Sequence, residues 1–129
     1  MARLQRISAE AELLRAIVVG DFSLEAAKSG FLEILDAAGR HGTKKILVDG
    51  RELKGEPEVI HRFIYSTFAA AEVAKYVVEH RVGSPQFAYV LREPVLDPQR
   101  FGETVAVNRG MRVKVFDDLE DALNWLGEG

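Results

Sequence analysis

The chain has 129 residues, of which 47% are hydrophobic and none is cysteine, so we expect one core, a single domain over residues 1–129, and neither disulfides nor thiolate metal sites. Its formal net charge is −3, and acidic and basic residues are interspersed, which argues against a nucleic-acid-binding protein with a clustered basic surface. No apolar run reaches the roughly 18–20 residues of a membrane-spanning helix, and charges interrupt the first twenty residues, so we expect a soluble, cytoplasmic protein.

The N-terminal third of the chain predicts two strands followed by a helix. The strands cover about residues 4–8 and 13–19 and are joined by the polar turn 9–12, which indicates an antiparallel hairpin at a sheet edge. Ser23 is a suitable N-cap for the helix that follows, and Gly39 lies where its apolar spacing stops.

The middle of the chain predicts a buried strand and a long helix. The apolar strand 45–48 runs into a charged, glycine-bearing segment, 49–56, which we predict to be a loop. Pro57 then occupies the first turn of the helix, where its missing N–H costs nothing. Helical spacing predicts one buried stripe along this helix, formed by Ile60, Phe63, Ile64, Thr67, Phe68, Ala71, Ala74 and Val78.

The last third of the chain predicts strands at 86–91 and 112–116, each followed by a helix. Asp97, which precedes a proline, is the predicted N-cap of the first helix, and Asp117 with Glu120 forms a capping-box pattern at the second. The element order is therefore β-β-α-β-α-β-α-β-α. This order predicts an α/β fold with a mostly parallel five-stranded sheet, an antiparallel edge strand and four helices.

Two segments carry a pattern shared with a known family. ILVDGRELKG at 46–55 combines an apolar strand, an aspartate and a short loop, and FGETVAVNRGMRVKVFDDLEDALNWL at 101–126 combines a helix, a strand and a closing helix. Both segments resemble the SpoIIAA-like proteins, relatives of the STAS domain of anti-sigma-factor antagonists. The resemblance implies a STAS/SpoIIAA-like sandwich that acts as a non-catalytic regulatory or protein-interaction module.

The family's phosphorylation switch is the point at which this chain departs from the resemblance. In anti-sigma-factor antagonists the partner kinase phosphorylates a serine at the start of the helix after the third strand. The corresponding positions, 54–58, carry no hydroxyl group, and Ser66 lies more than two turns into the helix. We therefore expect a module without the serine switch, in which Glu56 either mimics a phosphate or simply stabilises the helix N-terminus.

The candidate binding residues follow from the expected sheet, because ligands bind such sheets at the carboxyl ends of the parallel strands. Asp49 and Arg51 form the predicted centre of a site there, with Arg92 as a second cation. His61 and Tyr65, four residues apart, share one side of the long helix and could line a pocket over the sheet. The full candidate set is Asp49, Arg51, Glu56, His61, Tyr65 and Arg92.

Each candidate also has a purely structural explanation. Asp49 could bond loop amides while Arg51 pairs with a nearby carboxylate, and an amphipathic helix edge explains His61 equally well. The three histidines lack metal-ligand spacing and no nucleophile motif is present, so we expect no metal, no cofactor and no catalytic residue.

Three functions remain open at this point, and the regulatory protein-interaction module stands first. The alternative is a carrier or sensor of a small apolar or anionic ligand, similar to CRAL-TRIO proteins, and an enzyme of unassigned type stands third. The expected partner is another protein or such a ligand, not a nucleic acid. Trp125, just off the apolar side of the last helix, is expected at the core margin or in a weak homodimer contact.

Overall fold

The computed structural model describes residues 2–128 and contains the nine predicted elements in the predicted order. In chain order they are β1 (Arg3–Glu10), β2 (Leu13–Asp21), α1 (Leu24–His41), β3 (Lys45–Lys54), α2 (Val59–His80), β4 (Gln86–Val90), α3 (Phe101–Asn108), β5 (Arg112–Phe116) and α4 (Leu119–Leu126).

The strands form one five-stranded sheet in the order β1-β2-β3-β4-β5. β1 pairs with β2 antiparallel, because the two residues between them allow a hairpin but no crossover. The other three pairs are parallel, and a helix precedes each added strand. The predicted fold class, a mostly parallel sheet with an antiparallel edge strand and four helices, is confirmed.

The core is divided between the two sides of the sheet, because successive side chains of a strand point in opposite directions. On β3, Ile46 and Val48 pack with α1, α2 and α3, whereas Leu47 packs with α4. The α1–α3 side holds the larger cluster, built around Phe31 and Phe87, which stack with ring centroids 5.5 Å apart. The single helix α4 covers the other side.

Strand β3 is longer than its sequence predicts, so the predicted loop 49–56 is wrong over most of its length. The charged residues up to Lys54 remain paired with β2, past a bulge at Gly50 and Arg51 where β3 carries one extra residue. Gly50 lets the Leu91 side chain pack against this bulge, since a Cβ would lie 2.7 Å from Cδ2 of Leu91. The charged residues predicted a loop, but the end of β3 depends on its pairing with β2, which lies far away in the sequence.

The buried side of α2 is also different from the predicted stripe. Ile60 is 53% exposed and Val78 is 76% exposed, although both were predicted to be buried. The residues that α2 buries are smaller on average: Ser66, Ala69, Ala70, Val73 and Tyr76. Small side chains let α2 pack closely against α3, where a Cβ on Gly102 would come within 2.9 Å of Ser66 Oγ.

Two helix boundaries differ from their predicted positions because the caps lie elsewhere. Helix α1 continues through Gly39 and stops at Gly42, which adopts a left-handed conformation with a φ of 65°. Helix α2 begins at Val59 instead of Pro57, since Glu58 still has extended backbone angles.

The starts of the last two helices differ in the same way. Helix α3 begins only at Phe101, but the Asp97 carboxylate still accepts its N–H at 2.9 Å, so Asp97 anchors the helix start from a preceding turn. The N-cap of α4 is Asp118, whose carboxylate accepts the N–H of Glu120, and not the predicted Asp117.

Candidate functional site

Asp49 and Arg51, the predicted centre of the site, bind each other. They lie two residues apart on β3, on the side covered by α4. The Asp49 carboxylate accepts from Arg51 Nε at 2.9 Å, from Arg51 Nη2 at 2.8 Å and from the Arg51 backbone N–H at 3.2 Å. The guanidinium fork that could hold an external anion is thus engaged by a neighbouring carboxylate.

The electrostatics of this pair favour the ionised forms of both partners. Burial would raise the pKa of Asp49, but the hydrogen bonds from Arg51 outweigh burial and hold that pKa below its usual value. The side-chain bond to Asp49 in turn raises the pKa of Arg51. The pair is therefore a stable ion pair of the sheet over the ordinary range of pH.

The structure does not bring the other predicted residues together around this pair. Glu56 and Arg92 are exposed in the connections after β3 and β4, and His61 lies half-buried near the start of α2. None of these three lines the cavity on the other side of the sheet, whereas Tyr65 does. Of the six candidates, Tyr65 alone belongs to a concave site.

That cavity has a volume of about 170 Å³ and lies between the sheet and the inner sides of α1, α2 and α3. The sheet side of its wall is a row of register neighbours across three strands, Val48, Tyr89 and Val115. The helices supply mostly apolar groups, among them Phe31, Ile34 and Ala69. The site is built by side chains that are distant in the sequence and meet only in the fold.

The main polar feature within the cavity is a pair of tyrosines, Tyr65 from α2 and Tyr89 from β4. Their hydroxyl oxygens are 2.6 Å apart and their rings meet edge to face, and Tyr65 and Phe31 also meet edge to face. Burial raises the pKa of Tyr65 to about 12. Burial, together with the neighbouring Tyr65, raises the pKa of Tyr89 well above its usual value. Both hydroxyls therefore stay protonated near neutral pH.

Most of the charged side chains that line the cavity are tied to backbone groups of its own walls, the exception being Arg3, which is exposed on β1. Arg62 donates from Nη1 and Nη2 to the carbonyls of residues 95 and 94 at 2.7 and 2.9 Å, which fastens α2 to the connection after β4. Arg100 donates to the carbonyl of Asp97 at 3.0 Å. Glu103 accepts a backbone N–H of β5 at 2.6 Å. These bonds hold the walls of the cavity together.

Tyr89 and Arg62 were not identified as site residues from the sequence, and only Tyr89 could have been predicted from a pattern. Tyr89 and Phe87 are two residues apart on β4 and must point to the same side, so a buried Phe87 predicts an inward Tyr89. Arg62 had no such signal, because its role depends on carbonyl groups more than thirty residues away.

Two further possibilities concern a metal site and a membrane-spanning helix. Among residues 2–128, no three acidic or histidine side chains lie close enough to hold a metal ion together. No helix within the same residues combines the length and the apolar character that crossing a bilayer requires.

Comparison with known proteins identifies the fold. No family model and no curated protein sequence matches the chain. An anti-sigma factor antagonist from Mycobacterium paratuberculosis matches with a TM-score of 0.59 at 13% identity, over 98% of this chain and 95% of that one. An uncharacterized protein with a SpoIIAA-like fold from Shewanella loihica PV-4 matches with a TM-score of 0.51 at 21% identity, over 97% and 93% of the two chains. The chain therefore has the SpoIIAA-like fold.

Proposed function

We propose that the protein is a non-catalytic regulatory module that binds another protein through the start of α2. The observation that carries this proposal is the exposure of three large apolar side chains, with 67% of Val59, 53% of Ile60 and 38% of Phe63 open to solvent. Phe63 is four residues from Val59 and three from Ile60, so the three lie together on the helix surface. We call these three residues the α2 patch.

The α2 patch has the character of an interface centre. A cluster of exposed apolar side chains at one place on a monomer commonly marks a contact surface. Interfaces are typically built from such a centre surrounded by polar groups that exclude water. Here Glu56 and Glu58 are exposed directly before the patch, and the Arg109 guanidinium lies 5.8 Å from the ring centre of Phe63.

The acidic border indicates the chemistry of the partner. Glu56 and Glu58 precede the patch with no cation paired to either among the ion pairs of the described residues. A partner surface with an apolar centre and basic side chains at its edge would complement both features. The two exposed glutamates favour a basic protein segment over a second copy that places like charges at this edge of the patch.

The fold supports a regulatory partner of this kind. The structure from Mycobacterium paratuberculosis is an anti-sigma factor antagonist, and it shares its whole fold with this chain. The segment before α2, residues 55–58, offers no hydroxyl, and Ser66 is buried against Gly102. We therefore propose that binding at the α2 patch is not switched by a serine phosphate at this position.

The test is capture of the partner with charged variants of the patch. Phe63→Asp and Ile60→Asp should each lower the recovery of a specific partner at least tenfold relative to wild type, a change of about 1.4 kcal/mol in binding. Val78→Asp is the matched control, because Val78 is a strongly exposed apolar residue at the other end of the same helix. Recovery that is equal for all variants would contradict the proposal.

Sedimentation velocity on the same proteins identifies the occupant. A monomer that does not change when Phe63 is replaced agrees with a different protein as the partner. A dimer that dissociates in Phe63→Asp and persists in Val78→Asp would assign the patch to a second copy of the chain, and the proposed partner would be wrong.

A further inference from the structure

A glycine in the middle of α1 keeps part of the cavity open. Gly30 lies within the helix and lines the cavity, although a glycine inside a helix costs stability relative to alanine. Among residues 2–128, no atom beyond its chain neighbours and the local helix backbone lies within 4 Å of the position that a Cβ would take there. Gly102 on α3 also lines the cavity but differs, because its Cβ would come within 2.9 Å of Ser66 Oγ. Gly102 permits a close contact, whereas Gly30 leaves space unfilled.

The size of that space is suited to a small molecule. Protein interiors are close-packed, and few of their voids exceed a water molecule. The cavity volume of about 170 Å³ is slightly larger than the roughly 150 Å³ of an engineered apolar cavity that stays dry and binds benzene. Its walls are mostly apolar, so water that enters this space finds few of the two to four polar partners that an ordered water needs.

The tyrosine pair offers one hydrogen bond to an occupant. Two hydroxyl groups carry two protons, and only one proton can lie between the oxygens of Tyr65 and Tyr89 at 2.6 Å. The second O–H must donate to another acceptor or remain unsatisfied, which is unfavourable in an apolar surrounding. A carbonyl, ether or hydroxyl oxygen on a bound molecule would accept this proton.

The charges around the cavity favour an uncharged occupant. Burial raises the pKa of Tyr65, as expected for a hydroxyl in a poorly hydrated, mostly apolar part of the cavity. Arg62 and Arg100 donate to backbone carbonyls of the cavity walls, and Arg3, the remaining arginine of the lining, is exposed on β1. An ion placed beside the tyrosine hydroxyls would lose its hydration without gaining a charged partner there, which is strongly unfavourable.

We infer that the cavity beneath α1, α2 and α3 is a binding site for a small, uncharged, mostly apolar molecule, about one substituted six-membered ring in size, that carries one hydrogen-bond acceptor. The site uses the inner side of α2 and is separate from the α2 patch, so it holds whether or not the proposed protein partner exists.

The experiment compares three probes of similar shape by titration calorimetry on the intact protein. Acetophenone has a ring and a carbonyl acceptor, ethylbenzene has the ring alone, and benzoate adds a charge. Acetophenone should bind saturably, at least tenfold more tightly than either other probe. Equal binding of acetophenone and ethylbenzene would overturn the role of the tyrosine pair, and tighter binding of benzoate would overturn the uncharged ligand.

Variants then locate the binding. Gly30→Leu places a side chain in the cavity and should weaken acetophenone binding at least tenfold. Gly83→Leu is the matched control, because Gly83 has open space around its Cβ position but does not line the cavity. The double variant Tyr65→Phe, Tyr89→Phe should reduce acetophenone binding to the level of ethylbenzene. Unchanged binding by a folded Gly30→Leu protein would overturn the inference.

A fourth variant separates this inference from the proposed function. Phe63→Asp should bind acetophenone as wild type does, because the α2 patch lies outside the cavity lining. In the same way, Gly30→Leu should still recover the protein partner. Loss of acetophenone binding in Phe63→Asp would contradict the separation of the two sites.

Discussion

Replacing Gly30 with alanine tests the cavity through stability alone, without any ligand. Alanine is more favourable than glycine in a helix interior by about 0.8–1.0 kcal/mol. At Gly30 no atom of the described residues, apart from the local helix backbone and the chain neighbours, lies within 4 Å of the new Cβ, so neither strain nor new packing alters that gain. The expected result is a protein that is more stable by about 1 kcal/mol.

The melting temperature should rise accordingly. An unfolding entropy of about 2.1 cal/mol/K per residue gives roughly 0.27 kcal/mol/K for 129 residues, so 1 kcal/mol corresponds to about 4 °C. Urea unfolding followed by circular dichroism should show a higher midpoint with an unchanged slope. Gly102→Ala is the control, and it should gain less stability or lose some, because its Cβ would lie 2.9 Å from Ser66 Oγ. A Gly30→Ala protein less stable than wild type would refute the reasoning, since it would mean that the space at Gly30 is occupied.

Three further predictions concern the sheet and the buried polar groups. Leu47→Ala should lower the free energy of unfolding by about 2–5 kcal/mol, because Leu47 is 1% exposed between β3 and α4; an unchanged urea midpoint would contradict this packing. A double-mutant cycle with Asp49→Ala and Arg51→Ala should give a coupling of about 0.5–2 kcal/mol, since water partly screens both groups. Because the pKa of Asp49 is lowered in the fold, this coupling should be present above pH 3.8 and vanish as the pH falls through the folded pKa; a coupling that persisted in strong acid would be inconsistent with the ion pair. The raised pKa of Tyr65 predicts stability that is complete below pH 10 and declines as the pH rises towards 12, and the Tyr65→Phe, Tyr89→Phe protein should lose less over that range in urea titrations; equal losses would exclude the tyrosine pair as the cause.

The order of the elements could be predicted because it depends on local patterns. Alternation of apolar and polar residues in the strands and helical spacing in the helices can both be recognised within short windows of sequence. The length of β3 could not be predicted in this way. Charged residues such as Arg51 and Lys54 are typical of loops, and pairing with β2 keeps this segment in the strand. The antiparallel hairpin could be predicted, because the predicted four-residue turn 9–12 is too short for a crossover connection.

The buried side of α2 and the cavity could not be predicted for a related reason. The predicted stripe of α2 carries Ile60 and Val78, which are exposed, whereas the side with Ala69 packs inward against the neighbouring helices. Tyr65 was identified from its position over the sheet, but its partner Tyr89 lies on another element. The role of Gly30 could not be predicted from the sequence, since the empty space beside it is bounded by residues from other elements of the fold.

Both proposed sites use α2, and the cavity lies on the opposite side of the sheet from Asp49 and Arg51. An amide NMR titration of the ¹⁵N-labelled protein with acetophenone tests this placement most directly. We expect saturable shifts that concentrate at Gly30, Ser66 and Gly102, with the amides of residues 49–51 changing little. Shifts centred on residues 49–51, with Gly30 unaffected, would contradict the cavity as the binding site. They would indicate instead that the ligand binds at the charged pair on β3.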